Sequence, residues 1–112
     1  MKNNKQTIAI DFDGVLNEYK GYDEKNLYCP NEGVRDFLEK LSSQYEVVVF
    51  TARTLSQVVE WLIKYNLDVY VDNVTSMKPP AIAYIDDRAI RFGGDYQEVL
   101  SKLDEKPYWQ KE

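Results

Sequence analysis

The chain is expected to fold as an α/β domain, a three-layer, Rossmann-like parallel sheet with helices on both faces. Two observations predict it. Four short apolar runs, at 8–10, 47–50, 69–71 and 82–85, are bounded by polar punctuation, and three of them are rich in β-branched residues. Amphipathic helical patterns alternate with these runs, and near-continuous apolar strands suit a sheet covered on both faces. At 112 residues the chain makes a single domain over 1–112, which buries roughly 60–65% of the surface of its unfolded form.

The first run, 8–10, leads into Asp11-Phe12-Asp13-Gly14. Residues 15–30 have no clear period and are read as a flap or small hairpin. Val34, Phe37, Leu38 and Leu41 then fall at i, i+3, i+4 and i+7, a helix with a core-facing stripe. The second run ends at Thr51. Thr54 and Gln57 have capping-box spacing ahead of Val58, Val59, Leu62 and Ile63. The third and fourth runs are read as strands, the last followed by Asp86-Asp87. Asp95 is a start signal for a final helix, whose stripe of Tyr96, Val99, Leu100 and Leu103 is expected to face the core. No internal repeat or low-complexity linker is present.

Composition narrows the chemistry. With no histidine, Ser-His-Asp and Cys-His nucleophiles and every His-ligated metal site are excluded, so catalysis must rest on carboxylates, Lys, Arg and hydroxyls. The net charge of −5 argues against broad binding to nucleic acid and leaves a nucleic-acid end as a local contact only. The apolar runs are far shorter than a membrane span, and no signal peptide precedes the first strand. Cys29 has no second cysteine to pair with. A cytoplasmic protein is expected.

Read as a strand end, Asp11 and Asp13 point to one side and share a crevice, where their mutual repulsion invites a cation such as Mg2+. A plain Asp-Gly turn closing a strand is the alternative on these four residues. In an open parallel sheet, ligands gather at the carboxyl ends of strands where the strand order reverses. Those ends carry Asp11 and Asp13, Thr51, and Asp86-Asp87, with Lys78 in the loop before the last strand.

The order Asp-x-Asp, Thr, Lys, Asp-Asp along this alternation resembles the haloacid dehalogenase (HAD) superfamily, from about Ile8 to Ile90. Most members are Mg2+-dependent phosphatases and phosphotransferases. The resemblance implies that Asp11 attacks phosphorus to form an aspartyl-phosphate and that Asp13 is the acid/base. Thr51 and Lys78 then hold the phosphoryl group. Mg2+ would be bound by the Asp11 carboxylate, the Asp13 main-chain carbonyl and Asp86, with Asp87 holding a metal-bound water or Lys78. Gly14, Ala52 and Arg53 are the expected substrate-binding positions, and Arg88 is a second arginine near the pocket. Tyr19, Tyr22 and Tyr28 either stack on a substrate or cover a small core. Pro107-Tyr108-Trp109 is expected to dock on this domain or a neighbour.

HAD enzymes acting on small metabolites commonly carry an inserted cap. Here sixteen residues separate Gly14 from Asn31, and 52–77 is used by one helix and one strand. The resemblance therefore implies a capless, open site suited to a phosphate on a nucleotide, polynucleotide end or phosphoprotein, unless a homo-oligomer supplies the cover. Two alternatives stand beside the phosphatase: a phosphotransferase of the same superfamily, and a non-catalytic phosphate-sensing or protein-binding module.

Overall fold

The computed structural model describes residues 5–105. Four parallel strands, β1 (Thr7–Asp11), β2 (Glu46–Phe50), β3 (Asn73–Thr75) and β4 (Ala83–Ile85), stand in the order β3-β2-β1-β4. Helices α1 (Val34–Gln44) and α2 (Leu55–Lys64) lie in the β1–β2 and β2–β3 connections, and α3 (Tyr96–Leu103) follows β4. The fold is the expected α/β class with a Rossmann-like parallel sheet. No helix among the described residues is long and apolar enough to cross a membrane.

Side-chain alternation divides the core. Ile8, Ile10, Val47 and Val49 point to one side and pack against Val34 and Leu38 of α1 and Val58, Trp61 and Leu62 of α2. Burial of each such side chain contributes about 1.5–3 kcal/mol. On the other side Ala9 and Val48 are buried. The return from β3 to β4 contains no helix; its segment 76–82 lies against this side, where the Tyr84 hydroxyl donates to the Pro79 carbonyl at 2.7 Å.

Several sequence expectations are corrected by the structure. The apolar run 69–71 is not a strand: Asp68–Tyr70 forms a single 3-10 turn with Val69 pointing to solvent, 75% exposed. The third strand is Asn73–Thr75, in register with 48–50 of β2. Asp72 fixes that edge, because its N–H donates to the Val47 carbonyl and its carboxylate accepts the Val47 N–H, both at 2.8 Å.

The Thr54–Gln57 capping box does not form. Thr54 occupies the cap position of α2 without a side-chain hydrogen bond, and the Gln57 amide donates to the Glu24 carbonyl instead. The buried stripe of α2 is Val58, Trp61 and Leu62, with Val59 and Ile63 exposed, since the large indole packs edge-on to Phe12 with ring centroids 4.8 Å apart.

Asp95 does cap α3, accepting the Gln97 N–H. The α3 stripe, however, is not core: none of its residues is buried and Tyr96, Leu100 and Leu103 are largely exposed. In α1, Val34 and Leu38 are buried as expected while Phe37 turns outward. Pro107-Tyr108-Trp109 lies outside the described residues.

Candidate active site

From β1 the chain passes to β2 and β3 on one side and reaches β4 on the other, so a crevice opens beyond the carboxyl ends of β1 and β4. Asp11 closes β1. Ile10 pairs with Ile85, which sets Asp11 and Asp86 side by side one step further, about 4.8 Å apart along the sheet. Asp87 joins them, and one carboxylate oxygen from each of Asp11, Asp86 and Asp87 lies within 4.8 Å of the others.

Crowding and burial distort their acidity. Burial, then the charges of Asp86 and Asp87, push the Asp11 carboxyl from 3.8 up to about 7; the Phe12 backbone N–H opposes this and Asp13 adds least. Asp87 is also pushed up by burial and by Asp86, with Arg88 pulling it down. Both Asp87 oxygens are shielded from solvent and have no hydrogen-bond partner among the described residues. Shielded carboxylate oxygens with no donor are costly, and a hard divalent cation among the three carboxylates would both satisfy Asp87 and offset the crowded charge of Asp11 and Asp86. The donor set therefore fits Mg2+.

Gly14 makes the packing possible. It has φ +87°, and a Cβ there would run into the Asp87 carboxylate, so the turn after β1 can lie against Asp87 only because the residue is glycine.

Asp13 stands apart from this cluster. Because β1 ends at Asp11, the i, i+2 alternation does not extend through the turn, and the Asp13 carboxylate is not one of the three that converge. The Asp13 carboxylate instead accepts Arg53 Nε at 3.0 and 2.9 Å and Asn17 Nδ2 at 2.9 Å. Asn17, buried and missed by sequence reasoning, also accepts the Gly14 N–H at 2.8 Å and donates to the Leu27 carbonyl. The available signal was an Asn three residues after an Asp-Gly turn, a spacing that lets the side chain bond back to the turn.

Arg53 does not face a substrate as expected. Its side chain is 1% exposed, and beyond Asp13 its Nη1 donates to the Asp23 carbonyl at 2.7 Å and its Nη2 to that of Asn26 at 3.3 Å. Thr51 is buried at the end of β2, where its N–H donates to the Thr75 carbonyl and its Oγ1 accepts the Arg53 N–H. That leaves the hydroxyl proton to donate. Ala52 is exposed between them. Lys78 lies on the Asp11 side of the sheet, with its Nζ 4.2 Å from the centre of the Tyr84 ring. The expected Lys78–Asp87 contact is therefore not made.

The flap is a small hairpin closed at its base by a bridge between Asn17 and Pro30, with Glu18 N–H donating to Cys29 and Asn31 N–H to Leu16. Trp61 Nε1 donates to the Tyr28 carbonyl, tying the hairpin to α2. Tyr19 is buried edge-on to Tyr28, and the Tyr28 hydroxyl donates to Gly21. Those two rings are the flap's own core; Tyr22 alone of the three is exposed, with Arg53 5.1 Å beneath its ring centre. Arg88 lies 5.4 Å from the centre of the Tyr19 ring.

No family model matches the chain, and no curated protein matches it either. Among solved structures, a conserved protein coded by a locus of Bacteroides thetaiotaomicron is similar over 92% of this chain and 94% of its own, at 22% identity and a TM-score of 0.61. That likeness defines a shared α/β fold.

Proposed function

We propose that the protein is a Mg2+-dependent phosphohydrolase of the HAD type, cleaving a phosphomonoester through an aspartyl-phosphate on Asp11. The observation that carries this reading is the arrangement of the carboxylates: Asp11, Asp86 and Asp87 converge, with both Asp87 oxygens shielded and unpartnered among the described residues, while Asp13 is held two residues away by donors of its own. One group of acids suits a cation and the separate acid suits proton transfer.

In the proposed reaction an Asp11 oxygen attacks phosphorus and the bond from phosphorus to the ester oxygen breaks. Asp13 gives its proton to the leaving oxygen. The Asp13 carboxylate then takes a proton from water as that water attacks phosphorus, releasing inorganic phosphate and restoring Asp11. Bound Mg2+ would keep Asp11 ionised and offset charge on the transferring group. The Thr51 hydroxyl donates to that group, and Lys78 offsets its charge. No inserted domain lies between β1 and α1 or between β2 and β3. An open site of this kind favours a phosphate on a large or protruding substrate.

A panel of nucleotides, 5′- and 3′-phosphorylated oligonucleotides, phosphopeptides and 4-nitrophenyl phosphate, each assayed with Mg2+ and with chelator, tests the reading. Phosphate release that requires Mg2+ is expected; transfer to an added alcohol in place of release would identify a phosphotransferase, and no turnover of any member would contradict the proposal. Asp86→Ala is expected to raise the Mg2+ concentration for half-maximal activity at least tenfold, and an unchanged requirement would remove Asp86 from the metal site. Asp13→Asn is expected to slow turnover by about 10²–10⁴-fold, checked by steady-state rates on a substrate with a poor leaving group.

A further inference from the structure

We infer that Arg53 is a positioning residue that joins Asp13 to the flap, so that the acid/base is aligned only while the hairpin is seated on α2; this rests on the role proposed for Asp13. Two side chains hold the Asp13 carboxylate, and each also holds a flap carbonyl. Arg53 donates Nε to Asp13, Nη1 to Asp23 and Nη2 to Asn26. Asn17 donates Nδ2 both to Asp13 and to Leu27. The guanidinium is almost wholly buried, where leaving any of its donors or its countercharge unpaired is costly. Displacing the flap therefore strips partners from Arg53, and removing Asp13 leaves a buried cation that the hairpin alone must satisfy.

The geometry requires arginine. A planar fork donates in three fixed directions at once, whereas a lysine ammonium is a point donor on a flexible stem and cannot hold Asp13, Asp23 and Asn26 together. Tyr22 covers the outer side of the guanidinium and is 66% exposed, so a substrate group resting on Tyr22 presses on the element that aligns the acid. Arg53 also shares the turn of Thr51, whose Oγ1 accepts its N–H at 3.0 Å. One short segment thus carries both the phosphoryl-contacting hydroxyl and the link to the acid.

Arg53→Lys and Arg53→Gln, with Asp13→Ala as the reciprocal variant, test this by two readouts. The first compares kcat/KM for an alkyl phosphate and for 4-nitrophenyl phosphate, whose phenolate leaves without a proton. The arginine variants are expected to lose about 10²–10⁴-fold on the alkyl ester, the usual size of a general-acid effect, and less than tenfold on the aryl ester. The second is amide hydrogen exchange at Glu18 and Asn31, which close the hairpin base. All three variants are expected to exchange there at least tenfold faster with β2 unchanged.

Equal losses on both esters, or loss of protection in β2, would reduce Arg53 to a structural residue. Wild-type flap protection in Asp13→Ala would overturn the coupling. The alkyl ester is the best-turned-over alkyl phosphate of the panel above. If the wild-type protein hydrolyses no member of that panel, the phosphohydrolase reading fails, while exchange in Arg53→Lys and Asp13→Ala still decides whether the flap and Asp13 form one unit.

Discussion

Asp11→Asn is expected to reduce turnover by at least about 10⁴-fold, because it removes the proposed attacking oxygen and a proposed metal ligand together. The same change should stabilise the protein in chelator. Asp11 has its carboxyl pushed from 3.8 to about 7 in the folded chain, so between those values the native state binds more protons than the unfolded state. Its contribution is therefore most favourable below pH 4 and is lost as pH rises through 7.

The asparagine carries no charge to bury beside Asp86 and Asp87. At pH 8 it should melt higher than wild type by about 1 kcal/mol after allowing for solvent screening of this partly exposed group, or about 4 °C. At pH 4 the two should coincide. Thermal melts in chelator at both values, with turnover measured on protein free of deamidation, check this. Near wild-type turnover would exclude Asp11 as the nucleophile, and an unchanged melting temperature at pH 8 would mean that the three acids do not repel as described.

Gly14→Ala is expected to damage the site and the fold at once. Its φ of +87° lies in the left-handed region, where a Cβ costs about 1–2 kcal/mol, and that Cβ must also displace the Asp87 carboxylate. Mg2+ affinity should fall about 10–100-fold, the usual effect of disturbing groups that orient metal ligands. Gly33→Ala supplies the comparison, since Gly33 has φ +85° with nothing near its Cβ position. It should lose stability to a similar backbone strain and keep its Mg2+ affinity. Calorimetric titration with Mg2+ separates the two, and wild-type affinity in Gly14→Ala would show that Asp87 is not a ligand.

What was legible in the sequence followed from period and burial. The runs at 8–10 and 47–50 are apolar because β1 and β2 are the central strands, and the acids at their neighbours' ends could be placed from order alone. The edge was not legible in the same way. β3 pairs through its backbone with side chains as polar as Asn73 and Thr75, whereas the more apolar run 69–71 forms a turn. For α3 the spacing of Tyr96, Val99, Leu100 and Leu103 indicated a helix, but period does not say what a stripe packs against, and here it is left exposed. The Arg53 and Asn17 contacts were hidden for a different reason. Their flap contacts end on backbone carbonyls, which every residue type offers, so no residue pattern marks those contacts, although the spacing of Asn17 from the Asp-Gly turn does mark its bond back to Gly14.

The central claim is that Asp11 becomes covalently phosphorylated in a Mg2+-dependent cycle. Rapid acid quench of the protein turning over 32P-labelled substrate, followed by peptide mapping, measures this directly. An acid-stable, hydroxylamine-labile phosphate on Asp11 that forms with Mg2+, is absent with chelator and is lost in Asp11→Asn is the predicted result. Turnover with no labelled protein, or with label on a residue other than Asp11, would contradict the account.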